Sequence, residues 1–209
     1  MKNLFSILSV SGLLLALVSV FSFVQPQQGY KPGDAAEDFN LKNIDGNMLS
    51  MSNKKYANAK GFIIVFTCNH CPFSKKYEDR IIDLAKKYEP LGFPLIAINP
   101  NDPVREPEDS FENMVKLAKE KKYPFPYLWD ESQGTAKAYG AQKTPHVYVL
   151  KKEGDTRIVA YIGAIDDNSL KAKDAKVKYV ENAVDEILAG KAVSNPLTKA
   201  VGCTVKWKQ

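Results

Sequence analysis

After an apolar start, the chain settles into short buried runs separated by amphipathic stripes. Gly61-Phe62-Ile63-Ile64-Val65-Phe66 has no polar side chain and is rich in β-branched and aromatic residues, which predicts a strand buried on both faces. Phe73, Tyr77, Ile81, Leu84, Ala85 and Tyr88 follow at steps of 4, 4, 3, 1 and 3, one face of a helix. Pro94 to Ile98 is a second buried strand, so the unit reads strand–helix–strand with parallel strands and a right-handed crossover. A Pro-rich loop (Pro100, Pro103, Pro107) then leads to a helix bearing Phe111, Met114, Val115 and Ala118. Phe125 to Leu128 predicts a short edge strand, and Gln133 to Tyr139 a short helix stopped by Gly140. Val147 to Leu150 and Arg157 to Ile162 predict two antiparallel strands turning at Glu153-Gly154-Asp155. A last helix carries Val177, Val180, Val184, Ile187 and Leu188 and ends at Gly190. Upstream, Asn43-Ile44-Asp45-Gly46 supplies turn chemistry for a hairpin within Asp38 to Ser50.

The front end is different. Met1-Lys2 is cationic and Leu4 to Val24 is apolar, the pattern of an export signal. The run is about as long as a bilayer is thick, so residues 1–24 read as a cleaved signal peptide or an uncleaved signal-anchor. Residues 25–32 are a linker, 33–190 one domain, and 191–209 a tail docked on it. Either form of the signal places the bulk of the chain beyond the cytoplasmic membrane, periplasmic or secreted, where disulfide chemistry is permitted.

Composition narrows the function. The 209 residues carry 29 Lys+Arg and 24 Asp+Glu, a net charge of +5, with Arg only at 80, 105 and 157. Interleaved Lys and acidic residues make a solvated surface and no nucleic-acid footprint. Three Cys, at 68, 71 and 203, are too few for a disulfide scaffold.

The chemistry lies in Thr67-Cys68-Asn69-His70-Cys71-Pro72, at the seam between the first buried strand and its helix. Cysteines at i and i+3, one at the helix N-terminus and one in its first turn, bring their sulfurs within disulfide reach. Unpaired helix N–H groups and the helix dipole stabilise a thiolate there, and this reading gives the lowered pKa and the attacking role to Cys68. A structural zinc wants four ligands, and no second Cys-x-x-Cys exists.

Cys68-Asn69-His70-Cys71 after an apolar strand, with Thr144-Pro145 before a later one, resembles the thioredoxin superfamily. The likeness is narrower to its peroxiredoxin-like thiol-disulfide or antioxidant members. It is carried by Phe66 to Phe73, Ile98 to Asp102, Pro124 to Glu131, Tyr139-Gly140-Ala141, Thr144-Pro145 and Gly202 to Lys208. It implies a thioredoxin-like α/β fold: a central mixed sheet, helices on both faces and an N-terminal hairpin extension. It also implies that Pro145 is cis and lies against the dithiol, and that the Thr144 backbone offers hydrogen bonds to an incoming peptide or thiol. Both histidines, His70 and His146, then approach the sulfurs, with His70 the electrostatic tuner; for His146, strand alternation leaves open a partly buried residue facing away. No bound cofactor or metal is implied. Partners are protein or small-molecule thiols and disulfides, plus an electron donor or acceptor.

The chain departs from those families in specific ways. Counting back three and seven residues gives Val65 and Gly61 from Cys68, and Cys68 and Ile64 from Cys71, so neither has the Pro-x-x-x-Thr/Ser-x-x-Cys pattern of peroxiredoxins. Thr67 replaces the usual thioredoxin aromatic, and Phe62 to Phe66 holds no carboxylate, which leaves His70, His146 or water to deprotonate Cys71. Cys203 reads as a spare thiol or a resolving one. The expectation is an exported thiol-disulfide oxidoreductase. Its rivals are a peroxiredoxin-like thiol peroxidase, a copper- or zinc-binding module built on Cys68, Cys71 and either histidine, and an interaction protein with a vestigial dithiol.

Overall fold

A computed structural model describes residues 29–209; the expected export signal, residues 1–24, and the first half of the expected linker lie outside the described residues. Gly61–Phe66 is indeed a strand with every residue buried (here β3), counting from the hairpin strands Leu41–Asn43 (β1) and Met48–Leu49 (β2). The remaining strands of the main sheet are Leu95–Asn99 (β4), Tyr127–Trp129 (β5), His146–Glu153 (β7) and Thr156–Gly163 (β8). Their spatial order is β2-β1-β5-β4-β3-β7-β8. β3, β4 and β5 run parallel, while β7, β8 and the hairpin run antiparallel, so the sheet is mixed. Lys143–Thr144 (β6) and Cys203–Thr204 (β9) form a separate two-stranded ladder. The helices are Pro72–Tyr88 (α1), Phe111–Lys121 (α2), Gly134–Tyr139 (α3) and Tyr179–Leu188 (α4).

The two-residue period of β3 explains the layering. Ile63 and Val65 point to one face, where Tyr77, Ile81, Leu84, Ala85 and Tyr88 of α1 and Val180, Ala183 and Val184 of α4 cover them. Phe62, Ile64 and Phe66 point to the other, against Ala136 and Tyr139 of α3 and the N-terminal Phe39, Leu49 and Met51. A strand with helices or loops on both sides can spare no polar side chain, which is why β3 reads as unbroken apolar sequence. The α1 stripe begins one turn later than its spacing suggests: Phe73 is only half-buried, and the small Ser74 faces inward in its place.

Two expectations are corrected. The strand at Tyr127–Trp129 is not an edge, because β1 pairs with its outer side through Lys42↔Trp129 and Asn43↔Leu128. The hairpin folds back there through its turn, where Gly46 takes φ 87° and its amide donates to the Asn43 carbonyl at 2.8 Å. Val177 is exposed, since α4 begins only at Tyr179. Among the described residues no helix is long and apolar enough to cross a membrane.

The C-terminal tail is held by backbone bonds. The Val205 amide donates to the Gln142 carbonyl at 3.1 Å, the Asp102 amide donates to the Lys206 carbonyl at 2.9 Å, and Val205 is buried. Gln133 clamps the same stretch, its Nε2 donating to the Lys206 carbonyl at 2.8 Å and its Oε1 accepting from the Lys208 amide at 2.7 Å. Gly202 presses on β6 so closely that a Cβ there would collide with the Thr144 carbonyl. Gly202→Ala is therefore expected to detach the tail at a cost of about 1 kcal/mol per backbone bond lost. Hydrogen exchange should show the Val205 amide at least about tenfold faster with the main sheet unchanged; unaltered exchange would contradict this packing.

Candidate active site

Strand β3 carries its pairing one residue past its end, the Thr67 amide donating to the Ile98 carbonyl at 2.9 Å. The chain then leaves the sheet through Cys68, Asn69 and His70 and enters α1 at Pro72, with Cys71 as N-cap. Pro fits there because the first helical N–H has no intrahelical partner to lose. The helix thus starts four residues after Cys68. It is Cys71 that sits at the positive helix end, and the placement expected for Cys68 is corrected.

The turn is fastened by a carboxylate that sequence reasoning missed. Asp109 is completely buried and closes a 3₁₀ turn, Pro107–Asp109. Its Oδ1 accepts the Asn69 amide at 2.7 Å and the His70 amide at 3.1 Å. Its Oδ2 lies 2.6 Å from His70 Nδ1 and accepts Asn101 Nδ2 at 2.6 Å. Asn69 is fixed further, donating to the Glu108 carbonyl at 2.8 Å and accepting from the Tyr127 hydroxyl at 2.9 Å. Glu106 stands 3.6 Å from the far ring nitrogen of His70. The only sequence signal for Asp109 was the run Glu106-Pro107-Glu108-Asp109, which looks like a solvated loop.

Thr144 bounds the dithiol on the other side. Cys68 Sγ donates to Thr144 Oγ1 at 3.2 Å, and Cys71 Sγ donates to the Thr144 carbonyl at 3.2 Å. The Thr144–Pro145 peptide is cis, and both residues are buried. Cys68 Sγ also lies 3.6 Å from His70 Nδ1 and 3.8 Å from Ser74 Oγ. All three cysteines are free thiols.

The two sulfurs hold their protons unequally. Burial, then the neighbouring Cys71 and the charge of Asp109, push the Cys68 thiol far above its ordinary value. Cys71 is pulled well below the usual thiol range, first by its hydrogen bond with Cys68, then, against the opposing effect of burial, by Cys203 and the Ser74 amide. The Thr144 carbonyl opposes this, since it stabilises only the protonated thiol. The positive end of the helix, which Cys71 caps, acts with these neighbours against the one carbonyl.

The other expected residues divide. Thr67 is buried beside the dithiol but acts through its backbone. His146 begins β7 opposite Phe66, on the face of Tyr148, whose ring centroid is 4.9 Å away. This face is the one turned from α1, and His146 has no hydrogen bond to either sulfur among the described residues. Burial alone holds it neutral, at a pKa of about 4. The expected approach of both histidines is corrected to His70 only. Cys203 is not remote. Its strand pairs Cys203 with Thr144, the residue whose carbonyl accepts from Cys71, and burial, helped by the neighbouring Cys71, raises its thiol pKa to about 11.

Cys68, His70 and Asp109 place donor atoms within 4.8 Å of one another. That triad differs from the expected metal set, which took in Cys68, Cys71 and either His70 or His146. A carboxylate offers about four lone-pair sites, and those of Asp109 are all taken by N–H donors, so a cation there must break the bonds that shape the turn.

The AhpC/TSA family profile matches residues 32–159. A structure of an uncharacterized conserved protein from Geobacillus kaustophilus is 38% identical, covering 85% of this chain and 93% of that one, with a TM-score of 0.77. A hypothetical protein from Sinorhizobium meliloti 1021 is 32% identical over 86% of this chain and 96% of its own, with a TM-score of 0.78. A thiol-disulfide oxidoreductase from Bacteroides fragilis shares the fold at 21% identity and a TM-score of 0.50, over 62% of this chain and 89% of that one. No curated protein matches the chain.

Two outcomes follow from this geometry. Asp109→Asn, which replaces an acceptor of four bonds by a group that accepts half as many, should cost about 2–4 kcal/mol in urea unfolding. A neutral substitution leaving stability unchanged would contradict its role. Because the Cys71 pKa is lower folded than unfolded, the stability it contributes is present above the unfolded thiol pKa and is lost as pH falls towards the folded one. Reduced protein should show thiolate absorbance at 240 nm at pH 7 and lose stability from pH 8 to 5; Cys71→Ser should abolish the absorbance and flatten the slope.

Proposed function

This chain belongs to the AhpC/TSA family and has a thioredoxin-like fold, and on that premise we propose that it is an exported thiol-disulfide oxidoreductase working through a Cys68/Cys71 couple. The observation that carries the reading is the position of the two sulfurs. Each lies 3.2 Å from an oxygen of Thr144, the residue before the cis proline, and one caps the helix.

In this reading the attacking sulfur is Cys71, whose thiolate is favoured by the helix end. It displaces one sulfur of a substrate disulfide, forming a mixed disulfide and releasing a substrate thiolate. Cys68 then gives up its proton and attacks the Cys71 sulfur, releasing the second substrate thiolate and closing Cys68–Cys71. Two electrons pass to substrate, and a donor thiol must return them. The high pKa of Cys68 makes it the slower partner, and water takes the proton. Asp109 and Thr144 are positioning residues: one holds the turn, the other orients the sulfurs. Export rests on the apolar residues 1–24 and suits a couple that must cycle through a disulfide.

A peroxidase is the second reading, favoured by the family itself. Against it stand Val65 and Gly61 counted back from Cys68, and Cys68 and Ile64 counted back from Cys71, where a peroxide-positioning hydroxyl and proline would be needed. Reduced protein should accelerate insulin-disulfide reduction by dithiothreitol. Cys68→Ser and Cys71→Ser should each lower the rate more than about 100-fold, and the double variant should be little worse, because the two act as a unit. Rapid hydrogen peroxide consumption with no insulin reduction would replace this reading by the peroxidase.

A further inference from the structure

Strand β6 leads into the cis proline, and a side of it could pair with an extended peptide, since strand edges recruit strands. In this protein that side is already taken. The chain's own β9 runs antiparallel to β6, with Lys143 opposite Thr204 and Thr144 opposite Cys203. Gly202, lacking a Cβ, lets the tail close onto the Thr144 carbonyl, the same oxygen that accepts from Cys71 at 3.2 Å. Val205 is buried just beyond, and Gln133 clamps Lys206 and Lys208, so the register is anchored from both directions. A thiol at position 203 is thus delivered by a strand to the place opposite Thr144, whose carbonyl accepts from Cys71.

We propose that Cys203 is a third redox thiol and that the tail strand is a tethered internal partner, seated where a substrate peptide would pair. The proposal rests on the dithiol reading above. Its step is an exchange with no net oxidation. The Cys203 thiol loses its proton to water and its sulfur attacks Cys71 in the Cys68–Cys71 disulfide. The Cys71–Cys203 bond forms, the Cys68–Cys71 bond breaks, and the electron pair leaves on Cys68, which takes up a proton. The oxidised protein is then a mixture of two disulfide isomers that share Cys71, and Cys68 is regenerated as a free thiol. Cys203 is only half-buried, the most open of the three cysteines, so it offers an accessible point for return of electrons to the oxidised pair.

The sequence makes the test direct. Trypsin leaves Cys68 and Cys71 together in the peptide from Gly61 to Lys75 and Cys203 in the peptide from Ala200 to Lys206. The reduced full chain is treated with one equivalent of diamide, blocked with N-ethylmaleimide and digested without reduction. The proposal expects the two peptides joined through Cys71, with the maleimide on Cys68, in monomeric protein; the joined pair is lost in Cys203→Ser. Cys68→Ser, which leaves only Cys71 and Cys203, should lose both thiols to an internal bond. A wild-type chain that gives only the Cys68–Cys71 loop, with Cys203 alkylated, together with a Cys68→Ser chain that keeps both thiols, overturns this inference and leaves the dithiol reading standing. Absence of the Cys68–Cys71 bond in both wild type and Cys203→Ser overturns the dithiol reading itself.

Discussion

The Asp109 carboxylate is sealed from water and takes four N–H donors, three of them from Asn69 and His70. A buried carboxylate without such partners costs several kcal/mol, so its enclosure is tolerable only while the turn between β3 and α1 keeps the shape that supplies the donors. The dependence runs both ways. The turn has no hydrophobic side chain of its own to pin it, and the carboxylate fixes the two amides that separate Cys68 from Cys71. Asn101 and Asn99, at the end of β4, tie Asp109 to the sheet, Asn99 Nδ2 donating to its carbonyl at 3.2 Å. The geometry of the dithiol is therefore inherited from the parallel pair β3–β4 through one charge.

Thr144 is the matching constraint on the opposite side. Its hydroxyl meets Cys68, its carbonyl meets Cys71, and its strand partner is Cys203. Three sulfurs are thus referred to one residue, itself fully buried. The asymmetry between the cysteines follows from where each sits around it. Cys71 has the helix end, whereas Cys68 has burial and a nearby carboxylate. No side chain has to be strained for one thiol to ionise before the other.

The sheet was largely readable from the chain because its strands are enclosed on both faces. Strands covered on both faces tolerate few polar residues, and β3, Leu95 to Ile98 of β4 and Val147 to Leu150 of β7 stand out as apolar runs for that reason. The place of β5 was not readable: three residues carry little pattern, and its neighbour β1 comes from a hairpin far earlier in the chain. The dithiol was visible as spacing and neighbours, but its offset from the helix was not, since Asn69 and His70 have no apolar period to mark a boundary. Pro72 was the better start signal. Asp109 and Cys203 were hidden for a deeper reason. Each acts through a contact across the fold, and an acidic loop residue or a cysteine in a basic tail looks the same in sequence whether it is solvated or enclosed.

The central claim is that these sulfurs form a reversible two-electron couple, and a redox titration tests it most directly. Full-length protein is equilibrated in glutathione and dithiothreitol buffers of stepped potential, and free thiols per chain are counted after acid quenching. The account predicts one transition from three thiols to one, at a potential between roughly −270 and −120 mV, the span of thiol-disulfide proteins from reductants to oxidants. Three thiols persisting across the whole range would contradict it.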